Sequence, residues 1–416
     1  MPRGPAHGFL SILKIGFLIN TCEPFYRGGY ERHCWSLARE LARQGHEVRI
    51  YTSCPQEETI EGVHFIPLTP ARPYFSSRGV RNGWADMLFT LGIGPLFWRL
   101  RSRELDILDV YATPFIHLPL AALLVRYKGI PATLTCMEAL LCALPSYARE
   151  RGYHDPFAID LITRLLAAIY RLGMGLFPRR MAISKRTAAA LAQEGFPSLC
   201  TIEPSLEPAA FRLDPPAPPP QNQPRRFVFC GRLTPIKSVD VALQALLSIK
   251  TETMRSEGAG PEGTCPFRFD IIGEGSERAR LEEMTRHAGA RDVVTFHGEV
   301  TEERKLELLA KSEIFILSSP REGFSVATLE AMAQGCAALV VSDPQNPSGV
   351  LDFVSDEVTG LVVQPGAENM RHGLVRLIHD GEETLRLRQA AWLRAQDYRI
   401  EVKARLLAEA YAARLT

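Results

Sequence analysis

FVFCGRLTPIK, residues 227–237, reads as a buried strand, Phe227 to Cys230, that stops at a glycine and opens into a loop holding two cations, Arg232 and Lys237. Strand ends are where a doubly wound sheet binds its ligands. Arginine grips phosphate oxygens in pairs and lysine adds a point charge. The bland alternative is two solvated basic side chains.

The same rhythm continues on both sides. Downstream, Phe267 to Ile272, Val293 to Phe296, Ile314 to Leu317, Ala337 to Val341 and Gly360 to Val363 are short apolar runs separated by helical stretches. Upstream, Lys14 to Asn20, Glu47 to Thr52, Ile107 to Tyr111 and Ala132 to Cys136 repeat the pattern. Between the first two of these lies a helix with Cys34, Leu37, Ala38 and Leu41 at i, i+3, i+4 and i+7, stopped by Gly45. Alternation of this kind predicts an α/β chain with a parallel sheet in each half.

The joint between the halves is expected at residues 213–226, LDPPAPPPQNQPRR, where six prolines crowd a stretch almost without apolar side chains. This divides the chain into an N-terminal domain, 1–212, a linker, 213–226, a C-terminal domain, 227–385, and a helical segment, 386–416, that packs back on the first domain. Residues 251–266, rich in Gly and Glu, read as a long surface loop.

Composition narrows the class of protein. With 416 residues the chain is long enough for two cores. Its 48 Lys and Arg against 47 Asp and Glu leave a net charge of +1, too little to draw it to nucleic acid. Nine scattered cysteines without a C-x-x-C pair read as reduced thiols in a cytoplasmic protein, with neither a disulfide frame nor a metal site. The apolar stretch from Gly8 to Asn20 is interrupted by Lys14 and reads as a first strand, not a signal peptide. Residues 87–98 carry no charge and are followed by Arg99, Arg101 and Arg103. They either pack inward, broken at Gly94-Pro95, or make a weak peripheral contact with the inner face of a membrane.

Two further stretches carry candidate chemistry. Gly28-Gly29 follows the first strand at the mouth of a helix, where bare backbone amides can approach a phosphate or sugar, although a plain tight turn would look the same. No G-x-G-x-x-G is present, which argues against a nicotinamide dehydrogenase. In REGFSVATLEAMAQG, residues 321–335, Glu322 precedes a helix capped by Ser325, and Glu330 lies within it among Leu329, Ala331 and Met332. A carboxylate on so apolar a helix needs polar partners, which sugar or ribose hydroxyls would supply. A structural salt bridge is the alternative.

Together these motifs resemble the family 4 glycosyltransferases. GGYERHCWSLARELARQGHEVRIYTS is similar to the family's opening glycine loop, helix and second strand; GRLTPIKSVDVAL, FDIIGEGSERARLE, VTFHGEV and EGFSVATLEAMAQG follow in the family's order. The resemblance implies the GT-B architecture, two Rossmann-like doubly wound domains facing across a cleft. It further implies that Arg232 and Lys237 hold the donor diphosphate, Glu330 takes the ribose hydroxyls and Glu322 touches the transferred sugar. By the same resemblance Gly323, Phe324 and Ser325 offer amides to sugar and phosphate, Gly28 and Gly29 close over the donor, and Gly273, Gly275 and His297 to Val300 line the nucleotide. No cofactor and no metal are implied beyond a nucleoside-diphosphate-sugar co-substrate.

The sequence departs from the family at three places. Where members carry a His at a strand end in a T-x-H-[DE] pattern, this chain reads TCME, with Met137 beside Glu138. An asparagine-glycine pair before the linker is replaced by Pro204-Ser205, and Ser238 stands where a glycine follows the lysine. Glu138, His117 and His154 are the available substitutes for the missing imidazole. The resulting expectation is a retaining transferase moving a hexose-like unit from a UDP or GDP donor to an unknown acceptor, such as a glycan or lipid-linked intermediate. The rivals are a nucleotide-sugar epimerase and a catalytically silent nucleotide-sugar-binding subunit.

Overall fold

Contacts divide the chain into two units, Met1–Ser205 with Ile400–Thr416, and Leu206–Arg399. The computed structural model describes residues 12–413 apart from 27, 71–82, 103, 114, 142–143, 145–154, 219–222, 256–264, 321, 323 and 346–347.

The first unit is built on eight strands: β1 (Lys14–Leu18), β2 (Glu47–Ser53), β3 (Glu58–Ile60), β4 (Val63–Thr69), β5 (Ile107–Tyr111), β6 (Ala132–Cys136), β7 (Arg180–Ala182) and β8 (Cys200–Thr201). They pair in the order β3-β4-β2-β1-β5-β6-β7-β8, all parallel except β3 against β4. The central strands are buried on both faces, as parallel strands between helix layers must be. Four of these strands escape the sequence reading. β4 contains Pro67 and is half-buried along most of its length, while β3, β7 and β8 have two or three residues each, so no apolar run marks them.

Handedness fixes where the helices go. Steps from β1 to β2 to β4 run one way across the sheet, and steps from β4 through β5 and β6 to β7 run the other. Right-handed crossovers therefore lay α1 (Gly29–Arg43) on one face. On the opposite face lie α2 (Gly83–Gly92), α3 (Leu96–Arg99), α4 (Leu118–Lys128), α5 (Pro156–Leu176) and α6 (Lys185–Gln193).

The second unit has six strands, β9 (Arg225–Cys230), β10 (Phe267–Ile272), β11 (Val294–Gly298), β12 (Ile314–Leu317), β13 (Ala337–Val341) and β14 (Gly360–Val363). Their order is β11-β10-β9-β12-β13-β14, all parallel. Counted from β9 this is 3-2-1-4-5-6, the dinucleotide-binding order, whose direction reverses between β9 and β12. The helices α7 (Val239–Arg255), α8 (Arg278–His287), α9 (Glu302–Lys311), α10 (Val326–Ala333), α11 (Ala367–His379) and α12 (Gly381–Ala395) complete it. Residues 251–255, expected in a loop, form the last turn of α7; residues 256–264 lie outside the described residues.

The division falls at Ser205/Leu206, upstream of the proline stretch. Polar contacts explain why. Gln334 donates to the Ala210 carbonyl at 2.9 Å, Trp392 to that of Arg212 at 3.3 Å, and Arg388 to that of Ala217 at 3.2 Å. Pro216 is buried, so this part of the stretch packs against its own unit, although Leu213 is 93% exposed. At the other end the division is at Arg399/Ile400: α12 stays with the second unit, and only α13 (Ile400–Ala412) packs on α1 of the first. Two side chains anchor α13 there: Lys403 pairs with Glu203 at 2.8 Å, and the Tyr411 hydroxyl donates to the buried Asp109 at 2.5 Å.

Candidate active site

The reversal point between β9 and β12 organises the second unit's loops. The loop after β9 carries Arg232 and Lys237, and the segment after β12 carries Ser318, Ser319 and Glu322. Because the two strands are neighbours, these segments leave the sheet side by side.

The first loop is braced from below. Leu233 donates its amide to the Glu274 carbonyl at 2.8 Å, Glu277 donates to the Leu233 carbonyl at 2.9 Å, and Gly231 donates to that of Ile272 at 3.0 Å. Gly273 and Gly275 have φ of 132° and 156°, and a Cβ on either would collide with the carbonyl oxygens of Gly231 and Leu233 respectively. The absence of a Cβ at these glycines lets the 231–233 backbone approach closely. On this bed Arg232 is exposed and makes no ion pair among the described residues.

Lys237 ends a short 3₁₀ turn, Pro235–Lys237, closed by Ser238 in the left-handed region at φ 49°. That conformation is why a glycine is apt at this position, and serine occupies it at some cost. The ammonium of Lys237 meets Glu322 Oε1 at 2.5 Å, and the Ser319 hydroxyl donates to the same oxygen at 2.5 Å. Ser318 donates to the Lys237 carbonyl at 2.8 Å, and Gly349 donates its amide to the Glu322 carbonyl at 2.8 Å. Two of these contacts, Lys237 to Glu322 and Ser318 to the Lys237 carbonyl, join segments more than 80 positions apart, and the other two hold Glu322 in place.

The segment then enters α10. Ser325 occupies the N-cap position, with φ 66°, but its hydroxyl bonds Thr328 Oγ1 at 2.8 Å and caps no backbone amide, contrary to the simple capping reading. Phe324 is buried against Phe353 and Tyr398, so its side chain is an anchor and only its amide could meet a ligand. Gly323 lies outside the described residues. Glu330 is buried and pairs with Lys305 at 2.7 Å; Lys305 also reaches Glu302 at 2.8 Å. Burial works against the lysine's charge, yet the two carboxylates outweigh it and raise its pKa. Along the nucleotide side, His297 bonds Asp270 at 2.6 Å, Gly298 accepts from the Gly273 amide at 2.8 Å, Glu299 is exposed and Val300 is half-buried.

Lys305, Ser318 and Ser319 are absent from the sequence reading. For Lys305 a signal existed: with Leu308, Leu309 and Ser312 it falls at i, i+3, i+4 and i+7, so a lysine occupies a core-facing position of α9.

The first unit holds the remaining candidates. Gly28 caps α1 and Gly29 begins it; a Cβ on Gly29 would meet nothing within 4 Å, whereas one on Gly28 would strike the Glu31 carboxylate, which folds back over the helix start. Thr21 holds Glu31 there with a 2.8 Å hydrogen bond. Met137, just past β6, is 2% exposed, and Glu138 beside it is half-buried. His117 is fully buried, edge-on to Phe89 with centroids 5.3 Å apart, a packed histidine; His154 lies outside the described residues. No cluster of metal-ligating side chains occurs among the described residues.

Comparisons agree over both units. Residues 27–207 match the family described as Glycosyltransferase Family 4, and residues 211–394 match Glycosyl transferases group 1. A glycosyltransferase of Methanocaldococcus jannaschii, itself uncharacterised, is 23% identical over 385 residues, covering 88% of this chain and 90% of that one. Sucrose-phosphate synthase from Thermosynechococcus elongatus superposes with a TM-score of 0.72 at 17% identity, over 95% of this chain and 98% of that one. Anabaena HepE, solved in complex with UDP and glucose, superposes with a TM-score of 0.67 at 16% identity, over 96% of this chain and 100% of that one.

Proposed function

The chain belongs to the family 4 glycosyltransferases, and from that premise we propose that it moves a hexose-like sugar from a UDP- or GDP-type donor, with retention at the anomeric carbon and without a metal ion. The observation that carries the reading is the Lys237–Glu322 contact at the β9/β12 reversal point, flanked by exposed Arg232 and by the start of α10.

In such a reaction the sugar becomes oxocarbenium-like while negative charge grows on the departing diphosphate. In this reading Arg232 and Lys237 meet that charge, aided by the partial positive end of α10. When a donor binds, Lys237 exchanges part of its contact with Glu322 for phosphate oxygens, and Glu322, still held by Ser319, turns its acceptor oxygens to sugar hydroxyls. Glu330, held by Lys305 at 2.7 Å, is suited to accept from the ribose. Within the first unit, Glu138 is the polar group beside Met137, where the family resemblance expects an imidazole.

A panel of nucleoside-diphosphate sugars tested by thermal shift, followed by mass spectrometry of products formed in cell extract with and without EDTA, tests the proposal. One donor that stabilises the protein and whose sugar appears on an acceptor in EDTA supports it. Stabilisation by no nucleotide would remove the donor reading, and dependence on magnesium or manganese would remove the metal-free mechanism. Conversion of the donor without any acceptor would assign an epimerase, and binding without turnover a silent subunit.

A further inference from the structure

The helix layer formed by α2, α3, α4 and α5 turns an apolar outer surface to solvent. On α5, Phe157, Leu161, Leu165 and Leu172 fall at i, i+4, i+8 and i+15, one stripe of a helix, and each is exposed while Tyr170 and Met174 on the other side are fully buried. Neighbouring helices carry exposed apolar side chains as well. α5 packs on α4, and α4 on α3, where the rings of Phe97 and Tyr127 lie 5.7 Å apart. Trp98 on α3 is 84% exposed and Tyr127 on α4 is 71% exposed. Single exposed leucines need no explanation, but large exposed apolar side chains on three adjoining helices of one sheet face do.

Charge identifies the occupant. Residues 83–103, 118–128 and 156–176 contain seven Lys or Arg and two Asp, and one of those carboxylates, Asp86, is buried, whereas the whole chain is balanced to +1. The cations Arg99, Arg126 and Lys128 adjoin the exposed Trp98 and Tyr127 in sequence, with Arg101 two residues beyond Arg99; Arg99 also lies 3.6 Å from Glu57. Aromatic rings bordered by cations suit the headgroup layer of a bilayer, where rings enter the interface and cations meet anionic lipid. A second copy of the chain docked through the same patch would set these cations against one another. No helix among the described residues is long and apolar enough to cross a membrane, so contact would be in the plane of the interface.

We propose that this helix face is a docking surface for an anionic lipid bilayer. The proposal stands independently of the donor reading, since it uses none of the same residues. It is tested by sedimenting the full chain with vesicles of phosphatidylcholine alone and of phosphatidylcholine mixed with phosphatidylglycerol. Binding is expected to the anionic vesicles, weaker in high salt, and lowered about tenfold or more in Trp98→Ser/Leu161→Ser and in Arg99→Gln/Arg101→Gln, with melting temperature as the check on folding. Failure to sediment with anionic vesicles, or equal binding by folded variants, would overturn it. So would concentration-dependent dimerisation of the wild type that Trp98→Ser/Leu161→Ser abolishes, which would give the face to a second copy.

Discussion

The ammonium of Lys305 on α9 lies 2.7 Å from Oε2 of Glu330 on α10, and both residues are buried. An apolar helix can carry a buried carboxylate because a second helix supplies its counter-ion. The salt bridge accounts for the buried carboxylate, and the proposed contact with ribose hydroxyls is compatible with it. Lys305→Met removes this counter-ion, and a stability loss of about 3 kcal/mol is expected. Adding Glu330→Gln should recover stability without recovering nucleotide affinity. If calorimetric titration shows the double variant binding nucleoside diphosphate as tightly as wild type, Glu330 is structural alone.

Lys237 is partly exposed and its contact with Glu322 is a surface-edge pair, which contributes little to folding. Lys237→Ala is therefore expected to leave the melting temperature nearly unchanged while turnover falls about a hundred- to a thousandfold, the scale for losing one transition-state charge stabiliser. Turnover within about threefold of wild type would take Lys237 out of the diphosphate site.

Backbone geometry separates two substitutions that look alike on paper. Ser238 sits at φ 49°, so Ser238→Gly should raise stability by about 0.5–1 kcal/mol, whereas Gly275→Ala forces a methyl onto the Leu233 carbonyl and should lower it. Thermal unfolding of the two variants checks both signs. Because Gly275 supports the loop that carries Arg232, nucleotide affinity should fall with Gly275→Ala as well.

The fold was legible wherever a strand is buried on both faces, because then it prints a continuous apolar run, as from Ala337 to Val341. It was illegible at β4 and β7, whose short or half-buried strands depend on neighbours for their pairing. In the site, Lys237 and Glu322 were readable from the loops that hold them, but their mutual contact was not, since it depends on β9 and β12 being adjacent across 85 residues of chain. The proline stretch misled for a related reason: Pro216 has no polar side chain to announce that its carbonyl and that of Ala217 are taken by Gln389 and Arg388.

His33, buried in α1, borders a cavity shared with Asp109 and Leu407, with room of about 10 Å³ for the centre of a water molecule. Burial pushes its imidazole down to about 4 from 6.5. The unfolded chain then binds more protons than the native one between those values. Stability is complete above about pH 6.5 and is lost as the pH falls towards 4, by up to about 3 kcal/mol. His33→Gln should flatten that slope in denaturant titrations at successive pH values, and an unchanged slope would assign the acid sensitivity elsewhere.

Met137 stands where the family resemblance expects an imidazole, yet it is 2% exposed just past β6. A thioether packs there without a partner, whereas an imidazole would have to find one. Met137→His therefore asks a core position to accept two ring nitrogens, at an expected cost of about 1–3 kcal/mol in stability. Nucleotide affinity should not change, because the residues assigned to the donor lie mainly on the second unit's loops. In the proposed reading Glu138, half-buried beside it, supplies the polar function at this strand end, so Glu138→Ala is expected to lose more activity than either His117→Ala or His154→Ala once folding is checked. If Met137→His instead raises turnover in a stable protein, the position is a catalytic one that this chain has weakened. If Glu138→Ala is silent while His154→Ala abolishes transfer, the proton-bearing group comes from the segment around residue 154.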